Sequence, residues 1–236
     1  MQVAILAGGL ATRMRPRTLT TPKAMLEVAG RPFVDWQLER MAASGVRDVV
    51  LCVAHLADQI RAHVGDGARF GVRVVYSEEG PRLLGTGGAI RAALDHLAPT
   101  FLVTYGDSYL PFDYADPVRI LDANTDCDAV MAVYKNEGRW DASNVQTDAD
   151  GAWVLRYEKG VNDAALDHID YGATALRRSV VEGFAPGEPL GLDVVLRGLA
   201  ARKRLRACVA RERFFEIGSP EGLAELDRHL RQRAST

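Results

Sequence analysis

Short, mostly apolar runs bounded by turn residues recur through the first half of the chain, at 3–6, 49–53, 72–76, 101–104 and 129–133. Most are apolar throughout rather than alternating, the pattern of strands covered on both faces. Between them lie helical patterns. Residues 32–44 place Val34, Leu38 and Met41 at i, i+4 and i+7. Pro32 suits a first helical turn, and Gly45 the position just past the end. Residues 57–64 and 86–97 read as two further helices. Strand and helix alternate, which predicts a parallel, right-handed βαβ sheet over residues 1 to about 135. The pattern then changes. Residues 143–147, 152–158 and 168–176 read as strands without long helices between them, and 190–201 and 219–231 as helices. The expected fold class is α/β: a Rossmann-like, doubly wound, mixed but mainly parallel sheet, with a smaller sheet forming one wall of a cleft. Such sheets bind ligands at the carboxyl ends of their strands, so the segments after Leu6, Tyr76 and Tyr105 carry the search for a site.

The 236 residues suit one domain spanning 1–236, in two halves, 1–135 and 136–236. Net charge is -2, which argues against general affinity for nucleic acid or an anionic membrane. Cys52, Cys127 and Cys208 are far apart, an odd count without C-x-x-C spacing. That speaks against a disulfide framework or a cysteine zinc site and fits a reducing, cytoplasmic setting. No apolar run approaches the ~18 residues of a membrane span, and the apolar run at 3–7 reads as a buried strand rather than a leader.

Leu6-Ala-Gly-Gly-Leu-Ala-Thr-Arg-Met-Arg-Pro16 follows the first strand, and Thr21-Pro-Lys-Ala-Met25 comes soon after. Glycines there allow close ligand approach, and successive backbone N–H groups can cradle an anion. Arg13, Arg15, Arg17 and Lys23 follow Gly9 within fifteen residues. Cations beside a glycine turn suit a polyphosphate; the competing reading is a strand-to-loop turn with solvated basic residues. Neither G-x-x-x-x-G-K-[ST] nor G-x-G-x-x-G is present. The five histidines show no metal-ligand spacing. Gly106-Asp-Ser-Tyr-Leu110 is one insertion from the G-D-S-L motif of serine hydrolases, but Asp227-Arg-His229 is not that family's D-x-x-H. Trp140 and Trp153 read as core or rim aromatics before sugar platforms, and the basic run 202–206 as a solvated helix end leading into a strand.

Taken together, Leu6-Ala-Gly-Gly, Thr12-Arg13, Pro16, Pro22-Lys23 and Val28-Ala-Gly-Arg-Pro32 resemble the signature of the sugar-1-phosphate nucleotidylyltransferases. Leu84-Gly-Thr-Gly-Gly-Ala89 resembles that family's base-contacting loop, Gly106-Asp107 its metal-binding aspartate, and Phe215-Glu-Ile-Gly-Ser-Pro-Glu its closing segment. The chain departs from the pattern at Ala11, where glycine is usual, at Ala24 and Glu27, where proline is, and at Glu216, where the second metal-binding aspartate is. The resemblance implies a GT-A-like nucleotidyltransferase fold, with a nucleotide-binding first half and a second half that binds sugar and closes the site. It implies NTP and a sugar 1-phosphate as substrates, Mg²⁺ as cofactor and, as an open question, a homodimer. The closest subgroup is the guanylyltransferases for heptose 1-phosphates, with small uridylyltransferases near behind.

Residue by residue, the resemblance puts Leu6, Ala7, Gly8, Gly9, Thr12, Arg13, Lys23, Leu84, Gly85, Thr86 and Gly87 on the nucleotide. Gly106, Asn144, Glu158, Lys159, Asp170 and Gly172 would meet the sugar phosphate, although Asp170-Tyr-Gly172 lacks the family's asparagine. Asp107 and Glu216 would hold the metal, and Arg13, Lys23 and Asp107 would carry the catalysis. Two rivals remain. A glycosyltransferase of similar fold should show a D-x-D motif after the central strand, where this chain has Asp107-Ser-Tyr. A binding subunit without catalysis would be expected to have lost Arg13, Lys23 or Asp107.

Overall fold

The computed structural model describes residues 1–80 and 82–234. The chain opens with β1 (Gln2–Leu6), a ribbon of β2 (Glu27–Val28) and β3 (Arg31–Pro32), and α1 (Phe33–Ala43). Then come β4 (Asp48–Val53), α2 (Ala57–Val64), β5 (Arg73–Glu78), α3 (Gly85–Ala92) and β6 (Thr100–Tyr105). A short β7 (Ser108–Tyr109), α4 (Ala115–Ala123) and β8 (Ala129–Lys135) follow. The second half contributes β9 (Val145–Thr147), β10 (Val154–Tyr157), β11 (His168–Arg177), α5 (Arg178–Glu182), α6 (Leu192–Ala201), β12 (Leu205–Ala210), β13 (Phe215–Glu216) and α7 (Pro220–Ala234).

The parallel core β5-β4-β1-β6 is as the alternation predicts, with Leu6 level with Cys52 on one side and Tyr105 on the other. Two expectations need adjustment. β8 does not lie against β6: β11, from the second half, is inserted between them and runs antiparallel to both. The smaller sheet is not free-standing either. β9 and β10 join the main sheet through β11, making one nine-stranded sheet. A fully apolar run reports burial on both faces but not its neighbours, so this insertion could not be read from 129–133. Its physical hinge is Gly172. The residue adopts φ 85°, and the β11 register against β8 shifts between Asp170 and Thr174. Such a bulge bends the strand, letting its N-terminal part splay toward β9. α4 was not anticipated.

Apolar side chains fill both faces of the sheet. Leu38 and Met41 of α1, Ile60 of α2 and Leu121 of α4 cover one face; Ile90 of α3 and Leu196 and Leu199 of α6 cover the other. A third cluster joins Val28, Phe33, Tyr109, Phe215, Leu226 and Leu230. It presses α7 onto the two-stranded ribbon of β7 and β13, fixing Glu216 beside the end of β6. Among the described residues no helix is long and apolar enough to cross a membrane.

Candidate active site

The site forms at the carboxyl ends of β1 and β6. Gly106 N–H donates to Leu6 O at 2.9 Å, so the two strand ends leave the sheet in contact. A Cβ on Gly106 would lie 2.9 Å from Ala7 Cβ and 3.0 Å from Leu6 O. Backbone cannot yield as a side-chain tip can. Gly106→Ala is therefore expected to lower unfolding stability by about 1–3 kcal/mol in a denaturant titration, the usual cost of overpacking.

A cavity opens above these ends, lined by Ala7, Gly8, Gly9, Lys23, Thr86 and Asp107 among others. The glycine loop turns through Ala11, which adopts the left-handed conformation (φ 48°, ψ 46°) that the family's glycine would take without strain. Its carbonyl accepts from Thr18 Oγ1 at 2.8 Å and Met14 N–H at 3.0 Å, which hold the turn. Thr12 and Arg13 stand on the exposed rim. On the opposite wall Gly85, at φ 72°, begins α3. Leu84 and Gly87 are buried behind this wall, with Gly87 N–H donating to Leu190 O at 2.8 Å. Thr86 lines the cavity while its Oγ1 accepts from Leu192 N–H at 2.8 Å.

The charged residues meet at one point. Lys23 Nζ lies 2.8 Å from Asp107 Oδ2, both side chains largely buried, at 18% and 23% exposure. The Arg13 guanidinium packs over Gly218: a Cβ there would be 3.3 Å from Arg13 Nη2 and 3.9 Å from Asp107 Oδ2. Glu216 pairs in register with Ser108, and Ile217 N–H donates to Asp107 O at 2.9 Å, so the two carboxylates are neighbours. Glu216 is solvent-exposed, yet the surrounding protein, and then Asp107, Asp141 and Asp170, push its carboxyl up to about 7. Cleft solvent screens part of this, and the direction is what the chemistry uses. Two carboxylates crowded together are a place where positive charge is wanted. Among the described residues no group of three or more His, Cys, Asp or Glu could hold a metal. Two carboxylates with open space beside them are the donor set that Mg²⁺ uses when substrate phosphates complete its shell, so the residues fit that ion.

The second half supplies the far wall. Asn144 is a knot: its Oδ1 accepts from Asp170 N–H at 2.8 Å and its carbonyl from Glu158 N–H at 2.9 Å. Asp170 is turned inward, accepting from Tyr157 Oη at 2.8 Å and Gly172 N–H at 3.0 Å. Glu158 is held by Arg156 at 2.8 Å, a bond that keeps its carboxyl below the usual range. Lys159 Nζ lies 5.9 Å from the Tyr105 ring and 5.7 Å from the Tyr157 ring, a cation between two aromatic faces. Asn144, Glu158, Asp170 and Gly172 are thus linked through these bonds, with Lys159 beside Tyr157, but Asn144 and Asp170 spend much of their hydrogen bonding on the wall itself. Trp153 is covered by Arg206 at 4.4 Å, and Trp140 by Arg213 at 3.7 Å. The serine-hydrolase reading fails. Ser108 is fully buried, its Oγ faces Glu216 at 3.5 Å, and Asp227 Oδ1 accepts from Ala29 N–H instead of orienting a histidine.

Residues 3–218 match the model of the MobA-like NTP transferase domain. The chain belongs to that family. Among its curated relatives, N-acetylmuramate alpha-1-phosphate uridylyltransferase of Neisseria meningitidis serogroup B is 31% identical, over 87% of each chain. D-glycero-alpha-D-manno-heptose 1-phosphate guanylyltransferase of Campylobacter jejuni is 28% identical, over 94% of this chain and 96% of the relative. Against mannose-1-phosphate guanylyltransferase of Mycobacterium tuberculosis, 32% identical, the chain spans about half the relative's length, 53%. Among solved structures, HddC from Yersinia pseudotuberculosis complexed with GMP-PN superposes with a TM-score of 0.77 at 25% identity, over 97% of this chain and 99% of that one. The resemblance read from the motifs holds, and the chain is a nucleotidyltransferase.

One residue of the cavity escaped the motifs. Glu79, just past β5, lines it, and its Oε2 accepts from Leu84 N–H at 3.0 Å. Its Oε1 lies 2.6 Å from where a Cβ on Gly8 would be. The carboxylate thus holds the loop at Leu84 and leaves no room for a side chain at Gly8. An acid after a strand ordinarily reads as a solvated turn, and only the return of Leu84 across five residues exposes the role.

Proposed function

We propose that this transferase joins GTP to a heptose or hexose 1-phosphate, giving a GDP-sugar and pyrophosphate. The observation that carries the reaction type is the meeting of Arg13, Lys23, Asp107 and Glu216 at one point beside the glycine turn. The attacking oxygen belongs to the sugar phosphate and is already anionic at neutral pH. It forms a bond to the α-phosphorus, and the bond to the β-phosphate oxygen breaks, its electron pair leaving with pyrophosphate. No general base is needed. The obstacle is repulsion between polyanions, so positioning and charge neutralisation supply the rate. Arg13 on the rim would hold the leaving β- and γ-phosphates, and Lys23 would neutralise the α-phosphate. Lys159 would anchor the sugar phosphate, its charge kept in place by two aromatic faces. Asp107 and Glu216 would hold Mg²⁺, which when bound draws negative charge from the α-phosphate.

Guanine is supported by the heptose guanylyltransferase, which matches nearly end to end, and by the HddC complex with a guanine nucleotide. A uridylyltransferase is the second reading, favoured by the 31% identity with the N-acetylmuramate enzyme. A cytoplasmic setting is supported by three unpaired cysteines, Cys52 and Cys127 of them buried. The test is pyrophosphate release from a matrix of four NTPs against hexose, heptose and N-acetylmuramate 1-phosphates. GTP with a heptose or hexose 1-phosphate is expected to give the highest kcat/KM. UTP with N-acetylmuramate 1-phosphate in first place would install the second reading, and release in no combination would remove the reaction.

A further inference from the structure

Lys23 cannot serve two partners at once. The proposed reaction places its ammonium on the α-phosphate, yet in the structure it lies 2.8 Å from Asp107 Oδ2. Asp107 is also the carboxylate assigned to the metal. Around this point stand two fixed cations, Arg13 and Lys23, and two carboxylates, Asp107 and Glu216. While Lys23 pairs with Asp107, a divalent cation approaching that carboxylate meets the lysine's charge in a partly buried cleft, where charge is poorly screened. A triphosphate removes that obstacle, because it draws Lys23 and Arg13 to itself and frees Asp107.

We propose that Lys23 is an internal stand-in for the divalent cation: it occupies Asp107 in the nucleotide-free protein and gives it up only when phosphate arrives. Metal binding is then conditional on nucleotide, and the free enzyme does not fill its site with a cation lacking phosphate. The proposal rests on the assignment of Asp107 to the metal. Two further features support the exchange. Lys23 is on a short 3₁₀ turn, Lys23–Met25, where Pro22 fixes the approach and Ala24 and Leu26 are buried, so the backbone is anchored and only the side chain need swing. Lys23 also lines the nucleotide cavity, so both positions are within reach of one side chain. A lysine suits this exchange better than arginine, being a compact charge on a flexible stem.

If the pair holds Asp107 in about nine molecules of ten, the apparent metal affinity falls about tenfold. The experiment is a Mn²⁺ titration of the nucleotide-free full chain, read by the loss of the free-ion EPR signal. Lys23→Met is expected to bind Mn²⁺ at least about tenfold more tightly than wild type. Lys23→Arg, which keeps the charge, should stay near wild type. Adding Asp107→Asn to Lys23→Met should abolish the gain, and circular dichroism should show each variant folded. Equal or weaker binding by Lys23→Met overturns the exchange, while a wild-type affinity lost in Asp107→Asn would leave the metal site standing. A gain in Lys23→Met that survives Asp107→Asn would overturn both.

Discussion

Lys23→Ala is expected to lower kcat by at least about tenfold, and toward the 10²–10³-fold range typical when one preorganised charge-stabilising group is removed. The argument is electrostatic. In a reaction without a general base the barrier is charge repulsion, and a unit pair at 4 Å is worth about 4 kcal/mol at an effective dielectric of 20. A loss of about 1.4 kcal/mol is already tenfold. Lys23 is the cation that the structure holds deepest at the reacting end of the cavity, 18% exposed and anchored against Asp107. Arg13, on the exposed rim, should also cost at least about tenfold, with more of the loss in KM for the nucleotide than for Lys23→Ala. Initial rates of pyrophosphate release with both substrates varied separate the two. The fold should survive, because both partners line the open cavity, where water can hydrate the Asp107 carboxylate left behind, so the loss should shift the melting temperature by only a few degrees. Near-wild-type turnover in Lys23→Ala would remove the lysine from the mechanism. Removal of the Lys23 charge, expected as Lys23→Met to strengthen metal binding to the free protein, is thus also expected to slow the reaction. The proposed role sets the lysine against the metal in the ground state and on the phosphate in the transition state.

The sequence was most informative where chemistry and local geometry coincide. Continuous apolar runs located β1, β4, β6 and β8, and Val34, Leu38 and Met41 located α1, because burial leaves a direct trace in residue type. The glycine turn with Arg13 and Lys23, and Asp107 after a buried strand, were legible for the same reason. Phosphate and metal chemistry demand particular residues at particular strand ends. Relations between distant segments left no such trace. The insertion of β11 between β6 and β8 depends on a bulge at Gly172, which in sequence is merely a glycine inside a strand. α4 is short and buries little beyond Pro117 and Leu121, too few positions to show a period. Its entry is marked only by Asp113, whose Oδ1 accepts from Ala115 N–H at 2.9 Å. Asn144 and Asp170, expected at the sugar phosphate, also brace the wall through hydrogen bonds to each other and to Tyr157, which residue type alone does not announce.

Glu216 is where this chain and its family differ, and it supports the second large effect. If its carboxylate is a metal ligand, Glu216→Gln should raise the Mg²⁺ concentration for half-maximal rate by about tenfold or more, since even residues that only orient ligands cost 10–100-fold in metal affinity. Glu216→Asp keeps the ligand type and changes only reach, so it should retain substantial activity. Stability provides an independent readout. The carboxyl is raised from 4.5 to about 7 by the surrounding protein and by Asp107, so the folded state holds its proton more tightly than the unfolded chain. Its contribution is therefore fully present below pH 4.5 and lost as pH rises through about 7. Above that pH the nucleotide-free protein carries two crowded carboxylates, a cost the glutamine does not incur. Glu216→Gln should accordingly melt higher than wild type at pH 8, by about 2 °C after allowance for cleft solvent, and the difference should close as pH falls toward 4.5. An active-site residue whose removal stabilises the protein while impairing metal use is held for function, not for fold. Unchanged Mg²⁺ dependence together with unchanged melting at pH 8 would take Glu216 out of the site and leave Asp107 as its sole assigned carboxylate. The fold would be unaffected in either case, because Ser219 and Pro220 begin α7 and the cluster of Phe215, Leu226 and Leu230 holds it without help from the Glu216 side chain.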